Sequence, residues 1–454
     1  MAGGAMASSG IRASGTPLTK RQEWFAFGLV TSLFFLWGFS YSLVDVLNAK
    51  VQKSFGITKL ESTMIQVAYF GAYLVFCLPA SFVASRFSYR IAILMGLGLY
   101  TVGALLFWPA AHYAVFWPFP CCAFVIGCGL ATLETCANSY ISVLGSPERA
   151  AFRLNCAQSF NGLATFIGPL IAAHTFFKDE ESTELKSVQF VYLGVACLGA
   201  AVAVLFTFAK LPEISGDDLE EAQEAAGIID DRPLWKRKHT VFGFVCQFCY
   251  VGAQVTVATF IINLLTDDGS FTKSEASQMF SYMQITFMVS RFVSAPVVRF
   301  IDPALAVAFY GTLCCAFSFM VSQTHGKATL AGAFLIFFGE SIVYPTVFTL
   351  ATQRLGKHSK RGAGLLCMGV AGGAVFPPMQ GAFADARTTH LSYIVPAIGF
   401  GVIIPYGISM YVYGRRMKAI ELGQVAGLEG ASVQRQDSLD KADKEEVTQI
   451  EQRY

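Results

Sequence analysis

Charge is scarce in this 454-residue chain. Asp, Glu, Lys and Arg together make up 14% of it, against about 25% in a soluble domain. So few charges cannot cover a globular surface, which excludes a soluble protein. The formal net charge is only +2, so neither a nucleic acid nor an acidic partner is implied. Histidine is rare, with six copies, and none accompanies the adjacent pairs Cys121-Cys122 and Cys314-Cys315 or the Cys246-Gln-Phe-Cys249 spacing. The twelve cysteines therefore read as small apolar filler rather than a metal or redox site. No Asn-x-Ser/Thr sequon occurs. The first 20 residues are Ala/Gly/Ser-rich without an apolar core, so no cleaved signal peptide is expected. No nucleophile–base constellation and no metal-spaced set appears, which argues against an enzyme, a metal site or an organic cofactor.

Apolar sequence is abundant instead. Hydrophobic residues make up 54% of the chain and the mean hydropathy is +0.51. There are 41 Phe and 41 Gly, and Gly is frequent where membrane helices pack closely. Hydropathy predicts twelve spans, at 24–49, 60–84, 89–111, 115–144, 151–177, 188–210, 239–265, 276–299, 302–323, 328–354, 361–385 and 391–414. Each is long enough to cross a bilayer with tilt, and each must be helical to satisfy its own backbone in lipid. Pro169, Pro345 and Pro377-Pro378 mark expected kinks.

The fold class expected is thus an all-α membrane protein with twelve transmembrane helices. The charged stretch "KLPEISGDDLEEAQEAAGIIDDRPLWKRK" divides six spans from six. The chain then reads as an N-terminal segment 1–23, a six-helix bundle 24–210, a linker 211–238, a second bundle 239–414 and a polar tail 415–454. With both termini cytoplasmic, 25 of the 33 basic residues fall inside and 8 outside, which sets the expected orientation by the positive-inside rule. A multi-pass protein of the plasma membrane, working as a monomer, is the expectation.

The two halves echo each other. "VLGSPERAAFRLNCAQSFNG" (143–162) and "RLGKHSKRGAGLLCMGVAGG" (354–373) match at an offset of 211: Leu144-Gly145 with Leu355-Gly356, Leu154 with Leu365, Cys156 with Cys367, Gly162 with Gly373. A 6+6 repeat related along the membrane normal is the signature of the major facilitator fold.

Polar residues inside the spans carry the chemistry. Glu134 is the only charge between Phe116 and Leu144, and a carboxylate at helix centre costs about 2.5–3.5 kcal/mol to insert. Asn138 follows one turn later. Asn155, Gln158 and Asn161 recur every three residues on span 5, a polar stripe whose amides both donate and accept, as a polyhydroxy ligand requires. Helix–helix hydrogen bonding is the alternative use of such amides. Gln66, Tyr69 and Tyr73 on span 2, Gln247, Gln254 and Asn263 on span 7, Gln278, Tyr282 and Gln284 on span 8, Glu340 and Tyr344 on span 10 and Gln380 on span 11 suggest a wet cavity lined from both halves. No Lys or Arg is expected at mid-span to pair with Glu134; Arg291 is placed toward the inner end of span 8. An acid without a cationic mate survives by holding a proton, and one that alternates between a wet and a dry cavity would load and release it. Asp45 is as consistent with a helix-end carboxylate as with an entry acid for that proton. Sodium at the same oxygens is the alternative coupling ion.

"FFLWGFSYSLVDVLN", "LETCANS", "VLG…FRLNCAQSFN", "CQFCYVGAQ" and "YPTVFTL…LG" resemble, in order across about residues 20–414, the L-fucose/proton symporter family of the major facilitator superfamily. The resemblance implies an alternating-access symporter of a hexose or deoxyhexose. It implies that Asp45 and Glu134 take part in proton coupling and sugar recognition, and that Gln158 and Asn161 face the sugar. Asn138, Gln254, Gln284 and Tyr344 complete the expected substrate site. Three departures stand out: Ser139 where the family has proline, "SRFSYR" (85–90) without the acid of the loop motif, and Glu340, an acid the family does not lead one to expect. A proton-driven exporter of a small hydrophobic metabolite shares the fold and is the alternative function, together with sodium-coupled sugar transport; a non-transporting sugar sensor is disfavoured by the short tail.

Overall fold

The structure is a computed structural model that describes residues 12–13, 16–17, 19–57, 59–146, 149–176, 185–209, 211–214, 232–267, 271–417 and 419. Among the described residues the chain makes twelve helical passages, after a two-residue strand pair of β1 (Arg12–Ala13) with β2 (Thr16–Pro17). The first six are α1 (Lys20–Phe55), α2 (Lys59–Arg86), α3 (Tyr89–His112), α4 (Pro118–Val143), α5 (Ala150–Phe176) and α6 (Lys186–Phe208). The next three are α7 (Lys238–Asp267), α8 (Lys273–Phe300) and α9 (Pro303–Gln323).

The remaining passages are interrupted. The tenth is α10 (Lys327–Gly339) and α11 (Val343–Ala351), joined by a 3₁₀ turn over Glu340–Ile342. The expected Pro345 kink lies here. Proline has no N–H for the carbonyl four residues back, and that carbonyl belongs to Ser341, inside the turn. The eleventh is α12 (Ser359–Cys367) and α13 (Gly372–Ala386), joined by a 3₁₀ stretch over Met368–Ala371. Pro377 and Pro378 lie inside α13 without ending it. Their lost bonds fall on Gly373 and Ala374, beyond the break, so the interruption has another origin. The side chain of Pro169 lies outside the described residues. The twelfth passage runs over Thr389–Met417.

Ten of these passages are long and apolar enough to cross a membrane. Among the described residues α5 and α8 are not counted with them, though they are 27 and 28 residues long. Both carry polar side chains: Asn155, Gln158 and Asn161 on α5, and Gln278, Gln284 and Arg291 on α8. Large apolar side chains such as Val75, Phe82, Phe190, Phe208, Phe242 and Phe309 point outward, as lipid-facing helices require.

In the first six helices, α4 packs between α2 and α3, α1 packs on α5, and α3 on α6. In the second six, α7 packs on α11 and α13, and α9 on α10. The two sets meet where α5 packs on α8 and α11, and where α2 and α4 pack on α12. The repeated "LG" loops show the echo in the backbone: Gly145 and Gly356 both adopt a left-handed conformation, φ +71° and +51°, which L side chains rarely take. By compactness the chain divides into residues 1–408 and 409–454; the central cavity lies wholly within the first.

The two sets are also fastened at the end where α2 stops and α12 starts. Lys360 Nζ donates to the Ala84 carbonyl at 3.1 Å and to Glu213 Oε1 at 3.2 Å, and sits 4.2 Å from the centre of the Tyr89 ring. Glu213 also accepts from the Tyr89 N–H at 3.0 Å. Nearby, Arg153 reaches back over the α4 C-terminus to the carbonyls of Ile141, Ser142 and Ser146, filling acceptors a helix end leaves open.

Candidate functional site

A cavity of about 90 Å³ lies between the two sets of helices. At about 10–15 Å³ per water it has room for roughly six to nine of them. Its wall is aromatic on one side, with Trp37, Tyr41, Tyr69, Phe70 and Tyr73 of α1 and α2. It is polar on the other, with Asn161, Gln254, Gln284, Arg291, Glu340 and Tyr344. Aromatic faces with a few placed polar groups are what a small-molecule site needs.

Behind the Tyr344 face stands the carboxyl group of Glu134. Glu134 is 2% exposed and sits on α4, which with the tenth passage is the most buried of the ten apolar spans among the described residues. The Tyr344 hydroxyl donates to Glu134 Oε1 in a short bond, and Asn138 Nδ2 donates to the same oxygen at 3.4 Å. Asn138 Nδ2 also lies 3.4 Å from the Tyr344 hydroxyl. Gln158 Nε2 donates to Asn138 Oδ1 at 3.2 Å. A relay of side chains thus runs from α5 through α4 to α11 and joins the two sets of helices. The other oxygen of Glu134, Oε2, is buried without a partner.

The relay continues into a cation. Arg291 Nη1 donates to the Gln158 carbonyl at 2.9 Å, to Gln158 Oε1 at 3.3 Å and to Asn161 Oδ1 at 3.2 Å. Its guanidinium lies 4.4 Å from the centre of the Phe287 ring. It is close enough to act electrostatically on both Glu134 and Glu340. This corrects the expectation that no cation stands near Glu134. Arg291 is 5% exposed and nine residues before the end of α8, a rise of about 14 Å, which is lipid depth rather than the helix mouth.

The predicted site residues divide into three groups. Asn161, Gln254, Gln284, Tyr344 and Glu340 line the cavity, as do Tyr69 and Tyr73. Glu134, Asn138 and Gln158 form the layer behind it. The side chain of Asp45 lies outside the described residues, although α1 runs through it. Other polar residues of the spans serve packing. Asn155 Nδ2 bonds Thr346 Oγ1 at 3.0 Å across the halves, and Gln380 bridges Thr256 and Ser392. Asn263, Gln278 and Tyr282 are exposed and do not line the cavity described above. Trp37, Tyr41 and Arg291 were not expected in the site. Trp37 and Tyr41 are four apart in "LWGFSY", and that spacing on one helix face was the available signal.

Close approach of α1 and α5 places the amide wall. Gly38 has no room for a Cβ because the backbone of Asn161 occupies the space. That contact lets Asn161 Nδ2 donate to the Phe34 carbonyl at 3.2 Å, leaving Oδ1 for Arg291.

Residues 30–378 match the Major Facilitator Superfamily. The chain belongs to that superfamily. It is a multi-pass membrane protein of a transporter family, not an enzyme. A glucose/galactose transporter of Brucella abortus is 34% identical over 398 residues, covering 86% of this chain and 95% of that protein. An L-fucose-proton symporter of Haemophilus influenzae is 31% identical over 416 residues, covering 84% and 95%. Among solved structures, the facilitator FucP in its outward conformation superposes with a TM-score of 0.75 at 29% identity, covering 86% of this chain and 99% of that one. The resemblance to the L-fucose/proton symporters read from the motifs agrees with these relatives.

Proposed function

We propose that this protein is a proton-coupled monosaccharide symporter that works by alternating access. The observation that carries the reading is the Glu134–Tyr344–Asn138–Gln158 relay, in which an acid of one helix set is tied through hydroxyl and amide groups to the other. Breaking the Tyr344–Glu134 bond when the sets rock apart changes how Glu134 is solvated, and so whether it holds a proton. The amides and tyrosines at the cavity both donate and accept, which suits a neutral polyhydroxylated ring. The relatives named as glucose/galactose and L-fucose-proton transporters support a hexose or deoxyhexose. With both termini cytoplasmic, the Lys360 fastening lies at the cytoplasmic end and closes the two helix sets on that side. Localisation in the plasma membrane and monomeric operation belong to the same proposal.

The test is uptake of labelled L-fucose, D-glucose and D-galactose into proteoliposomes holding the full-length protein. An imposed inward proton gradient is expected to drive accumulation of at least one of them, and a protonophore to abolish it. Accumulation that follows a sodium gradient and ignores the proton gradient overturns the coupling ion. Absence of uptake of every sugar overturns the substrate class.

A further inference from the structure

Glu340 takes no part in the proton relay, yet it is among the most unusual groups in the molecule. It is 1% exposed and it lines the cavity. It opens the 3₁₀ turn between α10 and α11. The turn is held from α7: the Tyr250 hydroxyl donates to the Glu340 carbonyl at 2.6 Å. The Gln254 amide reaches the carboxyl group from the same helix, one turn on. Arg291 supplies a cation from α8. One carboxyl oxygen, Oε1, is left buried with no partner.

A buried acceptor without a partner is costly. Here the backbone is bent, braced by Tyr250 and flanked by Gln254, so the group is held in place rather than turned away. A carboxyl group on the cavity wall, one of whose oxygens lacks a donor, fits a ligand that donates from a hydroxyl. Arg291 offsets the negative charge locally, which favours a neutral ligand over an amine. Glu134 stands behind the wall on the other helix set, so Glu340 is the acid that lines the cavity itself.

We infer that Glu340 is a specificity-determining residue that accepts a hydrogen bond from one hydroxyl of the transported sugar. The inference rests on the sugar-transport reading above and adds a contact from the second helix set. A site built to bond a hydroxyl discriminates strongly against the analogue that lacks it, because the acceptor is then left buried and empty.

The experiment uses full-length protein in detergent and in proteoliposomes. D-glucose, D-galactose, D-mannose and L-fucose are screened for thermal stabilisation of the wild type, and the strongest is compared with its monodeoxy analogues. Glu340→Gln and the shorter acid Glu340→Asp are then measured with the same set. In the wild type, one deoxy analogue is expected to bind about ten- to a hundredfold more weakly than its parent, the range of a hydrogen bond to a charged group. In Glu340→Gln that gap is expected to shrink to threefold or less, with a raised KM for the parent and an accumulation that still follows the proton gradient. Glu340→Asp keeps the charge and is expected to weaken the parent while retaining part of the gap, which separates a lost contact from a misfolded variant. An unchanged gap in both variants overturns the inference and leaves the sugar reading standing. Loss of proton-driven accumulation at saturating sugar also overturns it, since Glu340 would then be a coupling group. A wild type that no sugar stabilises overturns both.

Discussion

Glu134 illustrates how one residue carries a cost and a use together. A carboxylate at this depth costs about 2.5–3.5 kcal/mol, and hydrogen bonds to a charged group return about 1.5–3 kcal/mol each. Tyr344 and Asn138 both bond one oxygen and leave the other bare. Glu134→Gln removes the proton site while keeping the shape. We expect it to retain exchange of sugar across the membrane and to lose accumulation against a gradient, read by counterflow and by net uptake. Tyr344→Phe removes only the hydroxyl. It is expected to weaken sugar affinity or slow uptake by about tenfold to a hundredfold, the range of one such bond, measured as KM and maximal rate. The isolation of Glu134 was plain in the sequence because no other charge lies within its run. Arg291 lies in the inner half of α8, where the span predicts it; its neighbours are what the sequence does not carry. Position along one helix says nothing of which neighbours it faces, so the bonds of Arg291 to Gln158 and Asn161 on α5 had no signature.

Among the elements, α5 and α8 both carry polar side chains at mid-helix and pack directly on each other at the junction of the two sets. Polarity that would be a fault against lipid is satisfied between them, by Arg291 and the Gln158 and Asn161 acceptors. The contact of α1 with α5 depends on Gly38. Gly38→Ala forces the helices apart beside Trp37 and Asn161; overpacking of this kind costs about 1–3 kcal/mol, and thermal unfolding in detergent should show it as a lowered Tm. At the start of α8, just outside the predicted span, Glu275 and Thr272 cap each other: the Thr272 N–H and hydroxyl donate to Glu275 Oε2 at 2.8 and 2.9 Å. Bonds from the Thr272 backbone and then its side chain hold the Glu275 carboxyl below the ordinary carboxylate value. A lowered carboxyl contributes when ionised, so the cap is complete above the ordinary value and is lost as pH falls through the lowered one. Amide exchange at 272–275 is expected to quicken on that descent, relative to neutral pH and after allowance for intrinsic rates, and to show no such step in Glu275→Gln. The Pro345 interruption was legible because proline removes a donor at a fixed offset. The Met368–Ala371 interruption was not; it lies where Gly369 and Gly372 lie against α7, a tertiary contact with no local signal.

For the whole molecule, twelve passages and the kinship of the halves followed from hydropathy and one 20-residue echo, because bilayer thickness sets span length. The echo holds down to the left-handed glycines of the two matching loops. Which helices meet across the centre was not legible, since contacts between distant segments leave no periodicity. The fastening of Lys360 to Ala84, Glu213 and the Tyr89 ring bears on the balance between states. Lys360→Met keeps the length of the stem and removes all three contacts of the ammonium. A coupling of about 1–3 kcal/mol shifts a two-state balance by roughly 5–150-fold. Labelling of a cysteine introduced at the Ala84 end is expected to rise by a factor in that range, while an equal or lower rate shows that Lys360 does not hold the closed form.

Glu213 gives that fastening a further meaning. It belongs to the chain leaving α6, so the first helix set carries its own half of the clasp and does not need the rest of the connector to reach Lys360. Two polypeptides produced separately, one ending after residue 214 and the other starting at 232, should therefore find each other in the membrane and move substrate as a pair. Ending the first piece before Glu213 should leave them able to meet but slower to shut.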